Sequence, residues 1–141
     1  MHETTPSGGE RMHIGQVAAR TELSLRTIRH YDEVGLVRPS ARTRGGFRLY
    51  TEADVARLMV IRRMKPLGFT LEEMADLLAV TDRLDDLGAA ALGADEREDL
   101  LARLGRFEEA ARERCEKLRT QLGRAEEFAA DLRRRSDRLT G

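Results

Sequence analysis

Apolar residues fall into two regimes along this chain. Between Ile14 and Leu78 they come in short clusters at helical spacing, separated by turn residues. Beyond residue 95 they stand in widely spaced rows on an otherwise charged background. In the first regime Ile14, Val17, Ala18 and Leu23, then Ile28 and Val34, predict two short helices over residues 14–35. Thr21-Glu22-Leu23 supplies the turn between them, and Ser24 is a good N-cap because its hydroxyl can accept an orphan backbone N–H. Gly35 can end the second helix in a left-handed conformation, and Pro39 keeps the following chain extended. Two helices about a three-residue turn form a helix-turn-helix, an arrangement whose second helix enters the DNA major groove.

From Leu36 to Tyr50 two short extended runs flank Gly45-Gly46, a dipeptide suited to a tight hairpin turn. Arg38, Arg42, Arg44 and Arg48 lie within eleven residues that contain no acid. A hairpin of that charge beside a helix-turn-helix reads as a wing, its arginines set to reach phosphates or the minor groove. Tyr50 reads as a core residue at the wing's base. Thr51 caps a third helix with Glu52 and Asp54 in its positive first turn. Thr70 and Glu73 have the reciprocal spacing of a capping box, opening a fourth helix that buries Leu71, Met74, Leu77 and Leu78.

The second regime predicts one long helix over residues 96–138, free of proline. Leu104, Ala111, Leu118, Ala125, Leu132 and Leu139 recur every seven residues, and Leu101, Cys115, Leu122 and Ala129 form a companion row interrupted by Glu108 and Ser136. Rows of that kind make a coiled-coil seam. Alanines alternating with leucines allow the close approach that suits antiparallel pairing of two copies. Leu101, Leu104, Ala111, Cys115, Leu118, Leu122, Ala125, Ala129 and Leu132 are the candidate dimerisation residues.

Charge sharpens the division. The net charge of the chain is zero, but residues 12–65 carry 11 basic against 5 acidic groups and residues 66–141 carry 13 against 18. A basic head on an acidic tail fits a head that meets a polyanion. The single cysteine excludes an internal disulfide and a multi-cysteine metal site, and Cys115 in the seam reads as a buried thiol, with a redox switch as the alternative. His2, His13 and His30 have no ligand spacing, so neither metal nor cofactor is expected. No apolar run approaches the ~18 residues of a membrane span and the N-terminus lacks a signal-like stretch, which gives an expectation of a cytoplasmic protein. No nucleophile–base pair, phosphate loop or paired-carboxylate motif stands out, so an enzyme is not expected.

Three segments, IGQVAARTELSLRTIRHYDEVGLV, the stretch from Arg42 to Val55 ending in FRLYTEADV, and LGFTLEEMADLL, strongly resemble the MerR family of bacterial transcription regulators in order and spacing. The resemblance covers residues 13–79. It implies a mainly α fold: a winged helix-turn-helix head of four helices and a small β-hairpin wing, followed by a long antiparallel coiled-coil dimerisation helix. It also implies a homodimer on a pseudo-palindromic promoter operator, distorting double-stranded DNA so that RNA polymerase can initiate. Carried over by position, Arg26, Arg29 and Tyr31 match groove and phosphate contacts, with Thr27 and His30 on the same helix able to assist. Arg42, Phe47 and Arg48 match wing contacts, and Arg44 lies among them. His30 and Phe47 stand where many members carry tyrosine, and both replacements remove a phenolic donor.

The expected layout is therefore a flexible extension at residues 1–11, a DNA-binding domain at 12–79, a connector at 80–95 and the helix at 96–138. Within these limits there is no room for a separate drug-binding domain, and the effector is not legible. Two alternatives to a site-specific regulator are an effector-independent DNA-architectural or nucleoid-type protein, and an interaction module whose long helix binds another partner.

Overall fold

The computed structural model describes residues 11–87 and 92–141, and the chain divides into a head unit, Met1–Ala91, and a helical unit, Leu92–Gly141. The expected N-terminal extension lies outside the described residues apart from Arg11, as does part of the expected connector.

In the head, β1 (Met12–His13) leads into α1 (Ile14–Thr21) and α2 (Leu25–Glu33). Ser24 caps α2 as the sequence predicts, its Oγ accepting the Thr27 N–H at 3.0 Å. The link between α1 and α2 has the expected three residues but is shifted by one, to Glu22, Leu23 and Ser24. Thr21 still belongs to α1, fully buried, with its Oγ1 donating to the Val17 carbonyl at 2.8 Å. Glu22 makes the corner at φ 61, a left-handed conformation that is uncommon for a residue with a side chain. Gly35 ends the α2 region at φ +79.

The wing is built from β2 (Ala41–Arg42) and β3 (Arg48–Tyr50), but it is not an isolated hairpin. β1 pairs with the other edge of β3, Met12 opposite Tyr50 and His13 opposite Leu49, giving the antiparallel order β1-β3-β2. The first residues of the head thus anchor the wing. Its turn uses three residues rather than Gly45-Gly46 alone. The Gly46 N–H bonds to the Thr43 carbonyl, the Thr43 N–H bonds to Phe47, and Gly46 takes φ +87. This is the pattern of a three-residue loop with a left-handed closing glycine.

Helix α3 (Glu52–Met64) begins with the reciprocal cap of Thr51 and Asp54, a 3-10 turn covers Lys65–Leu67, and α4 spans Leu71–Leu87. The Thr70–Glu73 capping box forms in both directions, at 2.9 and 3.1 Å. α4 runs eight residues beyond the predicted end of the DNA-binding domain, into the region read as connector. Val80 and Leu84 keep the helical spacing of α4 within that region. α1 packs on α2 and α3, and α4 packs on α3. Val17, Ile28, Leu58 and Ile61 are fully buried. Removing one such side chain from water stabilises the head by about 1.5–3 kcal/mol. Tyr50 is buried at the wing's base, as expected.

The second unit is a single helix, α5 (Ala94–Thr140), 47 residues long, or roughly 70 Å. Neither Gly105 nor Gly123 interrupts it. Intrahelical pairs such as Arg112–Glu108 and Arg135–Asp131 line its surface. Leu101, Leu118, Leu122 and Leu132 of the predicted seam are exposed, whereas Leu104, Ala111 and Cys115 are half-buried. Phe128 and Leu139 are exposed as well.

Candidate nucleic-acid interface

Residues of α2 and of the wing bring the candidate contacts together on the head. The α2 N-terminus is fixed by the Ser24 cap, and Ser24 Oγ also approaches Thr27 Oγ1 at 2.9 Å. Buried Ile28, Tyr31 and Asp32 mark the inward side of the helix, which leaves Arg26, Arg29 and His30 on the exposed side and Thr27 half-exposed. Among the described residues neither Arg26 nor Arg29 has a hydrogen bond or ion pair, and neither does Arg44 at the wing turn. Unpaired guanidiniums on an outward face keep all their donors for a ligand. A guanidinium can clamp a phosphate oxygen or read the O6/N7 edge of guanine.

Tyr31 is placed differently from its helix neighbours. Its side chain is only 3% exposed, and burial raises its pKa. Its ring stands 6.0 Å from that of His30. Tyr31 therefore belongs to the core that sets the position of α2, and the free chain does not present it to solvent.

The four wing residues separate as well. Phe47 is 70% exposed, its ring lying across Gly45, where an added Cβ would meet it at 3.3 Å. Arg44 is exposed beside it. Arg42 and Arg48 instead converge on one carboxylate oxygen of α2. Asp32 Oδ2 accepts Arg42 Nη2 at 2.8 Å and Arg48 Nε at 2.6 Å. Asp32 is buried, Arg48 is largely covered and Arg42 stands half in solvent. Burial pushes the Asp32 carboxyl up, but the two guanidiniums outweigh that effect and hold its pKa below the ordinary carboxylate value. The Arg48 guanidinium is correspondingly held more firmly protonated by its bond to Asp32, against the opposing effect of burial.

A second buried carboxylate fixes the far side of the wing. Asp54 accepts the backbone N–H groups of Ser40 and Thr51 and the Ser40 hydroxyl on one oxygen, and Arg57 Nη1 at 2.9 Å on the other. From sequence alone Asp54 is only a first-turn acid of α3 and Asp32 has no distinguishing role. The signal for both was present in the form of short polar residues inside a basic segment, but their partners lie 10 to 16 residues away for Asp32 and 14 for Ser40.

Two family models match the chain. The model described as "MerR HTH family regulatory protein" matches residues 12–80, and the model "MerR, DNA binding" matches residues 55–141, well over half the chain. The chain belongs to the MerR family. Among relatives, the HTH-type transcriptional regulator ZntR of Escherichia coli K12 is 45% identical over 67 residues, covering 48% of each chain. The mercuric resistance operon regulatory protein of Bacillus cereus is 42% identical over 73 residues, 52% of this chain and 55% of the relative. The transcriptional activator TipA of Streptomyces coelicolor is 46% identical over 65 residues, 46% of this chain and 26% of the relative. The chain thus spans about half or less of the length of these relatives.

Two solved MerR-family structures share the fold. One is HiNmlR, described as a MerR family regulator lacking the sensor domain and bound to promoter DNA; it has a TM-score of 0.61 at 22% identity, covering 85% of this chain and 88% of its own. The other, from Listeria monocytogenes, has a TM-score of 0.61 at 23% identity, covering 85% and 83%. The MerR family is one of transcription regulators and not of enzymes, and the three relatives quoted give the architectural alternative no support. Among the described residues no cluster of three or more His, Cys, Asp or Glu side chains is gathered to hold a metal, and no helix is long and apolar enough to cross a membrane.

Proposed function

We propose that this chain is a site-specific transcription regulator that binds promoter DNA as a homodimer. The single observation that carries the reading is the outward set of unpaired guanidiniums, Arg26 and Arg29 on α2 and Arg44 on the wing, displayed on a MerR-type head. In this reading α2 lies in the major groove, where Arg26, Thr27, Arg29 and His30 face base edges and phosphates. The wing carries Arg44 and Phe47 to the flanking backbone, and Tyr31 supports α2 from below. Phosphate contacts set register and affinity, and base contacts set sequence.

The exposed leucines of α5 support pairing with a second copy. Leu101, Leu118, Leu122 and Leu132 would otherwise leave an apolar row in water. Two antiparallel helices bury that row and hold two heads on one duplex, so the operator is a pair of inverted half-sites separated by a whole number of helical turns. Distortion of the DNA between them acts on initiation by RNA polymerase. The protein then works in the cytoplasm, where promoter and polymerase are.

Genome-wide mapping of sites bound by the full chain, followed by footprinting, tests the proposal. Discrete promoter sites with two-fold symmetric protection are the expected result. Extended protection without sequence preference would overturn it.

A further inference from the structure

Arg42 and Arg48 are directly opposite each other across the β2–β3 pair. Like charges in that position destabilise a hairpin. Each belongs to a strand of two or three residues, too short to hold its own register against the repulsion. The wing adopts this pairing because a third group lies between them: Asp32 of α2, whose Oδ2 binds both guanidiniums within 2.8 Å. Arg42 Nη1 also leans toward the Gly46 carbonyl at 3.4 Å, at the start of the segment carrying Phe47.

From this we infer that Asp32 is a wing-positioning residue: it neutralises the Arg42–Arg48 cross-strand pair and so fixes the angle between the wing and the recognition helix. Asp32 faces inward on the element that enters the groove, and its partners are on the element that meets the flank. One carboxylate therefore ties the two DNA-facing parts of the head to each other. Arg42 and Arg48 serve to hold the wing, and the contacts at its tip are left to Arg44 and Phe47, both exposed. The groups facing Asp32 are Arg42 and Arg48, with Tyr50 and Glu33 adding longer-range influence on the same cluster.

The inference rests on the DNA-binding reading above and separates from it by the sign of one effect. Asp32→Asn keeps shape and removes a negative charge close to the proposed phosphate surface. A simple charge effect predicts tighter DNA binding and a steeper salt dependence. Positioning predicts weaker binding, by about tenfold or 1.4 kcal/mol, with hydroxyl-radical protection lost at the outer flanks and kept at the central major-groove positions. The probe is an operator fragment recovered by mapping the wild-type chain.

An Arg42→Gln/Arg48→Gln background removes the repulsion and keeps the wing foldable even if Asp32→Asn alone melts. In that background Asp32→Asn changes affinity by less than about twofold if Asp32 acts through those arginines. Equal losses in the two backgrounds, or unchanged or tighter binding by Asp32→Asn with its flank protection intact, would overturn the assignment. A wild-type chain that protects no DNA would overturn the regulator reading itself.

Discussion

The recognition helix and the wing contain the same residue type in opposite states. Arg26 and Arg29 on α2 stand in solvent with no partner among the described residues, whereas Arg42 and Arg48 in the wing are both bound to Asp32. Counting charge along the sequence treats all four as equal contributors to a basic face. The structure divides them into guanidiniums kept for a ligand and guanidiniums already committed to the protein. What separates the two groups is one buried carboxylate. A similar division runs between the units: the head buries Val17, Ile28 and Leu58 within itself, while α5 leaves Leu118 and Leu122 in water.

The largest effect that can break the comparison is expected at the shared carboxylate. Asp32→Ala leaves two facing guanidiniums uncompensated and should lower the stability of the head by about 2–3 kcal/mol, below the usual range for a broken buried pair because Arg42 is half in solvent. Arg29→Ala, with no partner to orphan, should stay within about 0.5 kcal/mol of wild type. Chemical denaturation of the two variants side by side makes the check, and equal losses would erase the distinction.

Acid should remove the same contribution. The Asp32 carboxyl is held below its unfolded value in the native chain, so its stabilisation is fully present above the unfolded pKa and declines as pH falls through the folded one. Wild type and Asp32→Asn should therefore differ in stability at neutral pH and converge below about pH 4. A difference that persists unchanged into that range would place the effect elsewhere.

Smaller changes sharpen the contrast. Ser24→Ala removes the α2 cap and should cost about 1 kcal/mol. It would loosen the helix that presents both free arginines without touching the wing cluster, so circular dichroism melting should fall while flank protection is retained. Arg44→Ala should leave stability within about 0.5 kcal/mol and weaken DNA binding only severalfold, with a shallower salt dependence. Full affinity in that variant would remove the wing tip from the contact surface.

The parts of this molecule that were legible in its sequence are those decided within three or four residues. Ser24, Thr51 and the Thr70–Glu73 box each satisfy a helix end from a neighbouring position, so residue type and spacing were enough. Gly35 was readable because a left-handed ending has few other occupants. The illegible parts depend on distance. β1 finds its partner near residue 50, so Met12 and His13 carried no local sign of joining the wing. Tyr31 and Asp32 follow Arg29 and His30 in an unbroken polar run, and only packing shows that these two turn inward. Asp32 in particular reads as a surface acid until Arg42 and Arg48 are brought to it by the fold. Of the nine residues proposed to meet DNA, the structure thus presents Arg26, Arg29, His30, Arg44 and Phe47 to solvent, with Arg42 exposed but bound to Asp32, Thr27 and Arg48 partly covered, and Tyr31 buried.

Equilibrium binding of the Arg26→Gln/Arg29→Gln chain to a mapped operator, titrated across salt concentration beside wild type, decides whether the unpaired guanidiniums of α2 meet DNA. Affinity should fall by tenfold or more, roughly 1–3 kcal/mol for each lost contact, with the fold stable and the salt slope shallower by about one per phosphate contact removed. Binding with wild-type affinity and wild-type slope would contradict that contact.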